Sequence, residues 1–228
     1  NYLKYQNIIE ENPFNQLRFQ FRTEKVLPKT IPYDILKSIF IYLEQKVIVS
    51  KTDYQKQHAE RNLLIISLLL STGIRISELC HIHLKDINLS NKTLQIIGKG
   101  KKERILFLGD QKTFNLLETY INKTRNESND FLFPGKHSLK PLSEQSVRLL
   151  IKRIVEQNNF SRTITPHMFR HSFATMLLDS DVDIRYIQQI LGHSSISITQ
   201  IYTHVSHSKQ KEILSSFNPI SVIHSEIE

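Results

Sequence analysis

From Pro32 onward the chain repeats apolar residues at intervals of three and four, the spacing that lines one face of a helix. Ile35, Leu36, Ile39, Phe40 and Leu43 form such a face. A helix is therefore expected from near Thr30, with Pro32 in its first turn, where a missing N–H costs nothing. A second helix is predicted over Tyr54–Ser71 and closed by Thr72-Gly73, glycine being the usual residue just past a helix end. Within it Leu63–Leu70 (LLIISLLL) is a strongly apolar run, too short to cross a bilayer, which reads as a helix buried in the core. A short helix follows over Ile76–His81.

The periodicity then changes once. Thr93–Ile97 and Arg104–Leu108 are β-branched or alternating segments that flank Gly98-Lys99-Gly100-Lys101-Lys102, and so predict a β-hairpin with a glycine-rich, lysine-bearing turn. Helical spacing returns over 111–124 and over 144–157, the latter capped by Ser143. Thr165 is expected to cap a helix with Pro166 at its first position and HMFRHSFATMLL as its body. Helices over 183–191 (stopped by Gly192), 195–202 and 207–217 complete the pattern, with Asn218-Pro219 read as a stop. The fold class is mainly α with a small antiparallel β-sheet. Residues 1–26 read as the tail of a preceding domain and a linker, 27–206 as one domain, and 207–228 as a C-terminal tail.

Composition fits that picture. Of 228 residues, 39% are hydrophobic and 23% charged, enough to bury one sizeable core. The first residue is Asn and the only methionines are Met168 and Met176, so the chain is expected to be a piece of a longer protein. The single Cys80 excludes an internal disulfide, and its apolar neighbours Ile76 and Leu79 make it a packed thiol. A net charge of +8 favours a polyanionic partner, nucleic acid before an acidic membrane surface. No signal peptide or membrane span is visible, and a cytoplasmic location is expected.

Chemistry on a phosphodiester needs fixed cations where charge gathers on phosphoryl oxygens, and arginine suits because its fork binds two oxygens. Arg75 stands between Ile74 and Ile76 just after a helix end, and Arg170 sits on a helix whose other positions look like core. Each has a plainer reading as a structural ion pair, for Arg75 with Glu78 three residues on. His167 lies one turn before Arg170, and with His171 could face a metal. However, the chain has neither the Glu of an HExxH motif nor a cysteine cluster, so no metal is expected. His193, after the Gly192 stop, reads alone as a polar cap, and Tyr202 alone as a half-buried packing residue.

TGIRISEL, GKGKKER, HMFRHSFAT, LGHSSISIT and IYTH, in that order and spacing, closely resemble the tyrosine recombinase/phage integrase family over roughly residues 27–210. The resemblance implies the catalytic-domain fold of that family and a site-specific DNA recombinase. It implies that Arg75 and Arg170 clamp the scissile phosphate, that His167 does general acid/base work near Tyr202, and that His193 hydrogen-bonds a phosphate oxygen. Lys99 would protonate the departing 5′ oxygen. Tyr202 would be the nucleophile that gives a 3′-phosphotyrosine, with Glu78 and His171 supporting the cluster and Lys101, Lys102 and Arg104 contacting DNA. No cofactor, metal or ATP is implied, because the bond energy is kept in the covalent intermediate. The expected partners are double-stranded DNA, a homo-tetramer formed on it and accessory DNA-bending factors, with a bacterial, phage or mobile-element origin. The rivals are a type IB topoisomerase that relaxes supercoils and a DNA-binding module that has lost catalysis.

Overall fold

The computed structural model describes residues 2–10, 29–98, 103–124, 130–135, 140–192 and 207–227. Among these residues the helices are α1 (Tyr2–Tyr5), α2 (Tyr33–Ile48), α3 (Asp53–Thr72), α4 (Ile76–Cys80), α5 (Gln111–Thr124), α6 (Glu144–Gln157), α7 (Pro166–Asp179), α8 (Ile184–Leu191), α9 (His207–Ser216) and α10 (Pro219–Ile227). Between α4 and α5 lie a 3-10 turn (Leu84–Asp86) and strands β1 (Ile87–Asn88), β2 (Thr93–Ile97) and β3 (Glu103–Phe107). The expected class, mainly α with a small antiparallel sheet, is the observed one. The helix expected over 195–202 lies outside the described residues, as does most of the 1–26 stretch.

The apolar run of α3 explains the architecture. Leu64, Ile65, Ile66, Leu68, Leu69 and Leu70 are all completely buried, because α2, α5, α7 and α10 pack around this helix. Burying one such side chain stabilises by about 1.5–3 kcal/mol, so α3 is the axis on which the others assemble. Its ends are set locally. The Thr52 hydroxyl accepts the Gln55 N–H at 3.2 Å, and Gly73 closes the helix with a left-handed φ of 61°. α2 starts at Tyr33, with Pro32 just outside it in an extended conformation. Ser172 on α7 accepts the buried Ile31 N–H at 2.8 Å and ties this entry segment to the core.

The sheet has the order β1-β2-β3, antiparallel throughout, with Leu94 opposite Leu106 and Ile96 opposite Arg104. The hairpin strands match expectation to within one residue, and β1, two residues long, is an addition that carries too little pattern to be read. Ser143 caps α6 as expected, its hydroxyl accepting the Ser146 N–H at 3.1 Å. Thr165 precedes α7, but its side chain caps nothing. The start of α7 rests on Pro166 and on the Thr165 carbonyl, which accepts the Met168 N–H at 3.0 Å.

Asn218-Pro219 stops α9 as expected, and it also begins a further helix that was not expected. Pro219 supplies the first residue of α10, and the Asn218 carboxamide accepts the Ile220 N–H at 3.3 Å while donating to the Ser71 carbonyl at 3.2 Å. The same Pro that ends one helix is well suited to open the next. Ile220 and Ile223 are completely buried, and the His224 Nδ1 lies 3.1 Å from the Asp110 carboxylate, which also accepts the Ser221 hydroxyl at 2.7 Å. α10 thus packs on its own chain, against α2, α3, α5 and α7.

Candidate active site

The site grows from the short link between α3 and α4. Gly73 turns the chain, buried Ile74 anchors it, and Arg75 stands in an extended conformation as the residue before α4. The Arg75 backbone N–H donates to Glu78 Oε2 at 2.8 Å, so the carboxylate reaches back to cap its own helix. The Arg75 Nη1 donates to Glu78 Oε1 at 2.9 Å. Arg75 and Glu78 therefore form the expected local ion pair, but Glu78 is not theirs alone.

Arg104 enters from β3. Strand alternation puts it on the sheet face shared by Leu94, Ile96 and Leu106, all buried, so it points into the protein. Its Nη1 donates to Glu78 Oε1 at 3.0 Å, its Nη2 to Glu78 Oε2 at 2.8 Å and its Nε to the Ile190 carbonyl at 3.1 Å. Arg170, buried on α7, donates from Nη1 to the Gly73 carbonyl at 2.6 Å and from Nη2 to the Leu191 carbonyl at 2.7 Å. The last carbonyls of a helix have no partner within it and carry the negative end of its dipole. Two arginines satisfy two of them at the end of α8, and so draw that end onto the α3–α4 link.

Three guanidinium groups surround one carboxylate, which leaves the cluster strongly positive. Burial would raise the Glu78 carboxyl, but the hydrogen bond from Arg104, the Arg75 backbone N–H and the neighbouring charges bring it down to about 2. Burial lowers Arg170 to about 10, with Arg75 and Arg104 adding repulsion that Glu78 offsets only in part. Such a cluster gains by taking up an anion. His167 and His171 are exposed on α7 to either side of buried Arg170. Burial and then the nearby His167 and Arg170 charges lower His171, which favours its neutral form.

The structure thus brings Arg75, Glu78, Arg104 and Arg170 into one network, with His167 and His171 on the same helix as Arg170. Lys99, Lys101, Lys102, His193 and Tyr202 lie outside the described residues. Arg104, expected among the DNA-contacting cations, has its guanidinium committed inside the protein, with a side chain only 13% exposed. Its inward direction was available from period-two alternation, since it stands two residues before Leu106 on the same face. The carbonyl partners of Arg170 left no trace in the side-chain pattern. Cys80 is buried as expected, and burial pushes its thiol up to about 11, so it stays protonated. Among the described residues no helix is long and apolar enough to cross a membrane.

Comparison with known proteins identifies the family. Residues 42–209 match the model of the phage integrase family. A tyrosine recombinase of Agathobacter rectalis is 50% identical over 227 residues, covering 98% of this chain and 74% of that protein. The tyrosine recombinase XerD of Staphylococcus haemolyticus is 37% identical over 208 residues, covering 89% and 70%. The crystal structure of XerA recombinase is similar with a TM-score of 0.62 at 27% identity, over 88% of this chain and 67% of that one. The XerH site-specific recombinase bound to its difH substrate in a pre-cleavage complex is similar with a TM-score of 0.62 at 28% identity, over 78% and 51%. The chain belongs to the phage integrase family and carries the catalytic domain of a tyrosine recombinase, an enzyme that cleaves and rejoins DNA strands at specific sites.

Proposed function

We propose that this chain binds duplex DNA and cleaves one strand with Tyr202, with the arginine cluster as its phosphate site. The observation that carries the reading is the network itself: Arg75 and Arg104 share the single Glu78 carboxylate, and Arg170 lies within electrostatic reach of all three, which leaves excess positive charge where a phosphate would bind. In this scheme the Tyr202 hydroxyl oxygen attacks phosphorus, with His167 taking part in moving its proton. The P–O5′ bond breaks, Lys99 protonates the departing 5′ oxygen, and a 3′-phosphotyrosine remains. Attack by a 5′ hydroxyl of a partner strand reverses the step. Arg75, Arg170 and His193 hold the non-bridging oxygens, and His171 stands behind His167.

Strand exchange needs two duplexes, so the proposal includes a homo-tetramer on DNA, on whose assembly the 207–228 tail, docked on its own chain in the free protein, would pass to a neighbouring protomer. The chain covers 74% of the length of the A. rectalis relative.

The test is a pool of nicked suicide duplexes with a randomised centre, in which cleavage releases a short fragment and traps the covalent adduct. The chain should yield an adduct that survives denaturation, that enriches a defined sequence and that disappears in Tyr202→Phe. No adduct, or one unchanged by Tyr202→Phe, overturns the scheme. Relaxation of supercoiled plasmid without two-site recombination would favour topoisomerase-like action instead.

A further inference from the structure

We propose that Arg104 is a positioning residue for cleavage: it neutralises Glu78 so that Arg75 keeps its charge for the scissile phosphate. The inference rests on the reading of Arg75 as a phosphate ligand. It starts from how the Glu78 carboxylate is shared. Oε1 accepts from Arg75 Nη1 at 2.9 Å and Arg104 Nη1 at 3.0 Å, while Oε2 accepts from the Arg75 backbone at 2.8 Å and Arg104 Nη2 at 2.8 Å. A carboxylate has about four lone-pair sites, and all of them are filled.

Arg104 holds both oxygens in the two-pronged geometry that makes arginine–carboxylate pairs strong, and Arg75 is left with one side-chain bond. The side chains are 13% exposed for Arg104 and 36% for Arg75, so the more deeply set arginine meets the buried carboxylate and the more open one faces outward chemistry. Without Arg104, Glu78 would turn its whole charge on Arg75, and the pair would be a closed local ion pair that competes with phosphate. Removing Glu78 as well would return the cluster to its original net charge, two uncompensated arginines.

Arg104 also fixes distances. The register opposite Ile96 sets where it leaves the sheet, its Nε holds the Ile190 carbonyl at 3.1 Å, and its side chain lies against Gly192. A Cβ on Gly192 would come within 3.0 Å of the Arg104 Nη1 and 3.1 Å of its Cδ. One side chain therefore joins β3, the start of α4 and the end of α8, three of the segments that meet at the site. A residue that acts through another group in this way changes rate more than binding.

The experiment uses the duplex recovered from the suicide-substrate pool, with cleavage measured at saturating DNA and affinity measured separately. Arg104→Met should cleave about 10–100-fold more slowly, less than the loss of a direct donor, with DNA affinity unchanged within about twofold. Adding Glu78→Gln to Arg104→Met should recover about tenfold of the rate, a rescue that lost packing alone would not produce. Should Arg104→Met melt below the assay temperature, Arg104→Gln takes its place with the same readouts. A wild-type rate in the single variant, a double variant no faster than the single, or weaker affinity in step with the rate would each overturn the inference. An absence of adduct from the unaltered chain would instead remove the reading of the site on which it rests.

Discussion

Arg170 donates from Nη2 to the Leu191 carbonyl at 2.7 Å, which fastens the end of α8 to the floor of the arginine cluster. Its second bond, to the Gly73 carbonyl at 2.6 Å, does the same for the end of α3. Arg75, with a side chain 36% exposed, holds nothing comparable together. The two arginines should therefore separate when stability and activity are both measured. Arg170→Ala leaves two carbonyls without their donor and should cost about 2–5 kcal/mol in urea melts. Arg75→Ala should cost about 1 kcal/mol or less, because Glu78 keeps Arg104. Both should cleave about 10²–10³-fold more slowly. Wild-type cleavage by Arg75→Ala would remove it from the phosphate site.

Gly109 follows β3 by two residues, and a Cβ built on it would lie 1.8 Å from the Leu214 carbonyl oxygen. The two backbones approach so closely that no side chain fits between them. Gly109→Ala should unseat α9, and with it α10, while the α3 core stays folded. Hydrogen exchange should rise across 207–227 and remain slow across 63–72, and limited proteolysis should cut the tail first. Uniform exchange changes across both regions would argue that tail and core unfold as one unit.

The helical frame was legible because its period was strong. Leu36, Ile39, Phe40 and Leu43 on α2 are buried as their spacing predicts, and Leu63–Leu70 is the core helix that its composition implies. β1 was not legible, since two residues carry no period. α10 was not legible because Asn-Pro, which does stop α9, serves as a start as well, and the cradle formed by α2, α3, α5 and α7 is what holds the short segment after it as a helix. At the site, motif resemblance picked out Arg75, Glu78 and Arg170 as a set. The burial of Arg104 was missed because its place in a lysine-rich turn motif suggested a surface cation, whereas strand alternation turns it inward. Arg170 holds main-chain carbonyls, which every residue has and no sequence pattern marks.

Two buried carboxylates should govern acid stability. Glu78 is brought to about 2 against an ordinary 4.5, burial raising it and Arg104 with Arg75 lowering it further. Asp110 is brought to about 2 against 3.8, burial raising it while His224 and Thr113 lower it. A carboxyl whose folded pKa lies below its unfolded one stabilises fully above the unfolded value, and that stability is lost as pH falls through the folded value. Each should contribute on the order of 2 kcal/mol at neutral pH, lost between about pH 4.5 and pH 2. Urea midpoints taken across that range should fall steeply for the unaltered chain and less steeply for Asp110→Asn. An equal slope in the two would mean that the Asp110–His224 contact does not hold in solution.

The packing of α10 makes a last prediction that separates a docked helix from a loose tail. Ile220 and Ile223 are completely buried against the core, whereas Val222, between them, is 48% exposed. Ile220→Ala and Ile223→Ala should each cost about 2–5 kcal/mol, the usual loss when a buried aliphatic side chain leaves a cavity, and Val222→Ala less than about 0.5 kcal/mol. The difference arises because the cradle of α2, α3, α5 and α7 cannot collapse onto a truncated side chain without moving α3, the axis of the fold. If urea melts found all three variants alike, α10 would not occupy this cradle in the free chain. The cradle would then be open to the same helix from a second protomer, and wild-type stability should rise with protein concentration as that exchange fills it.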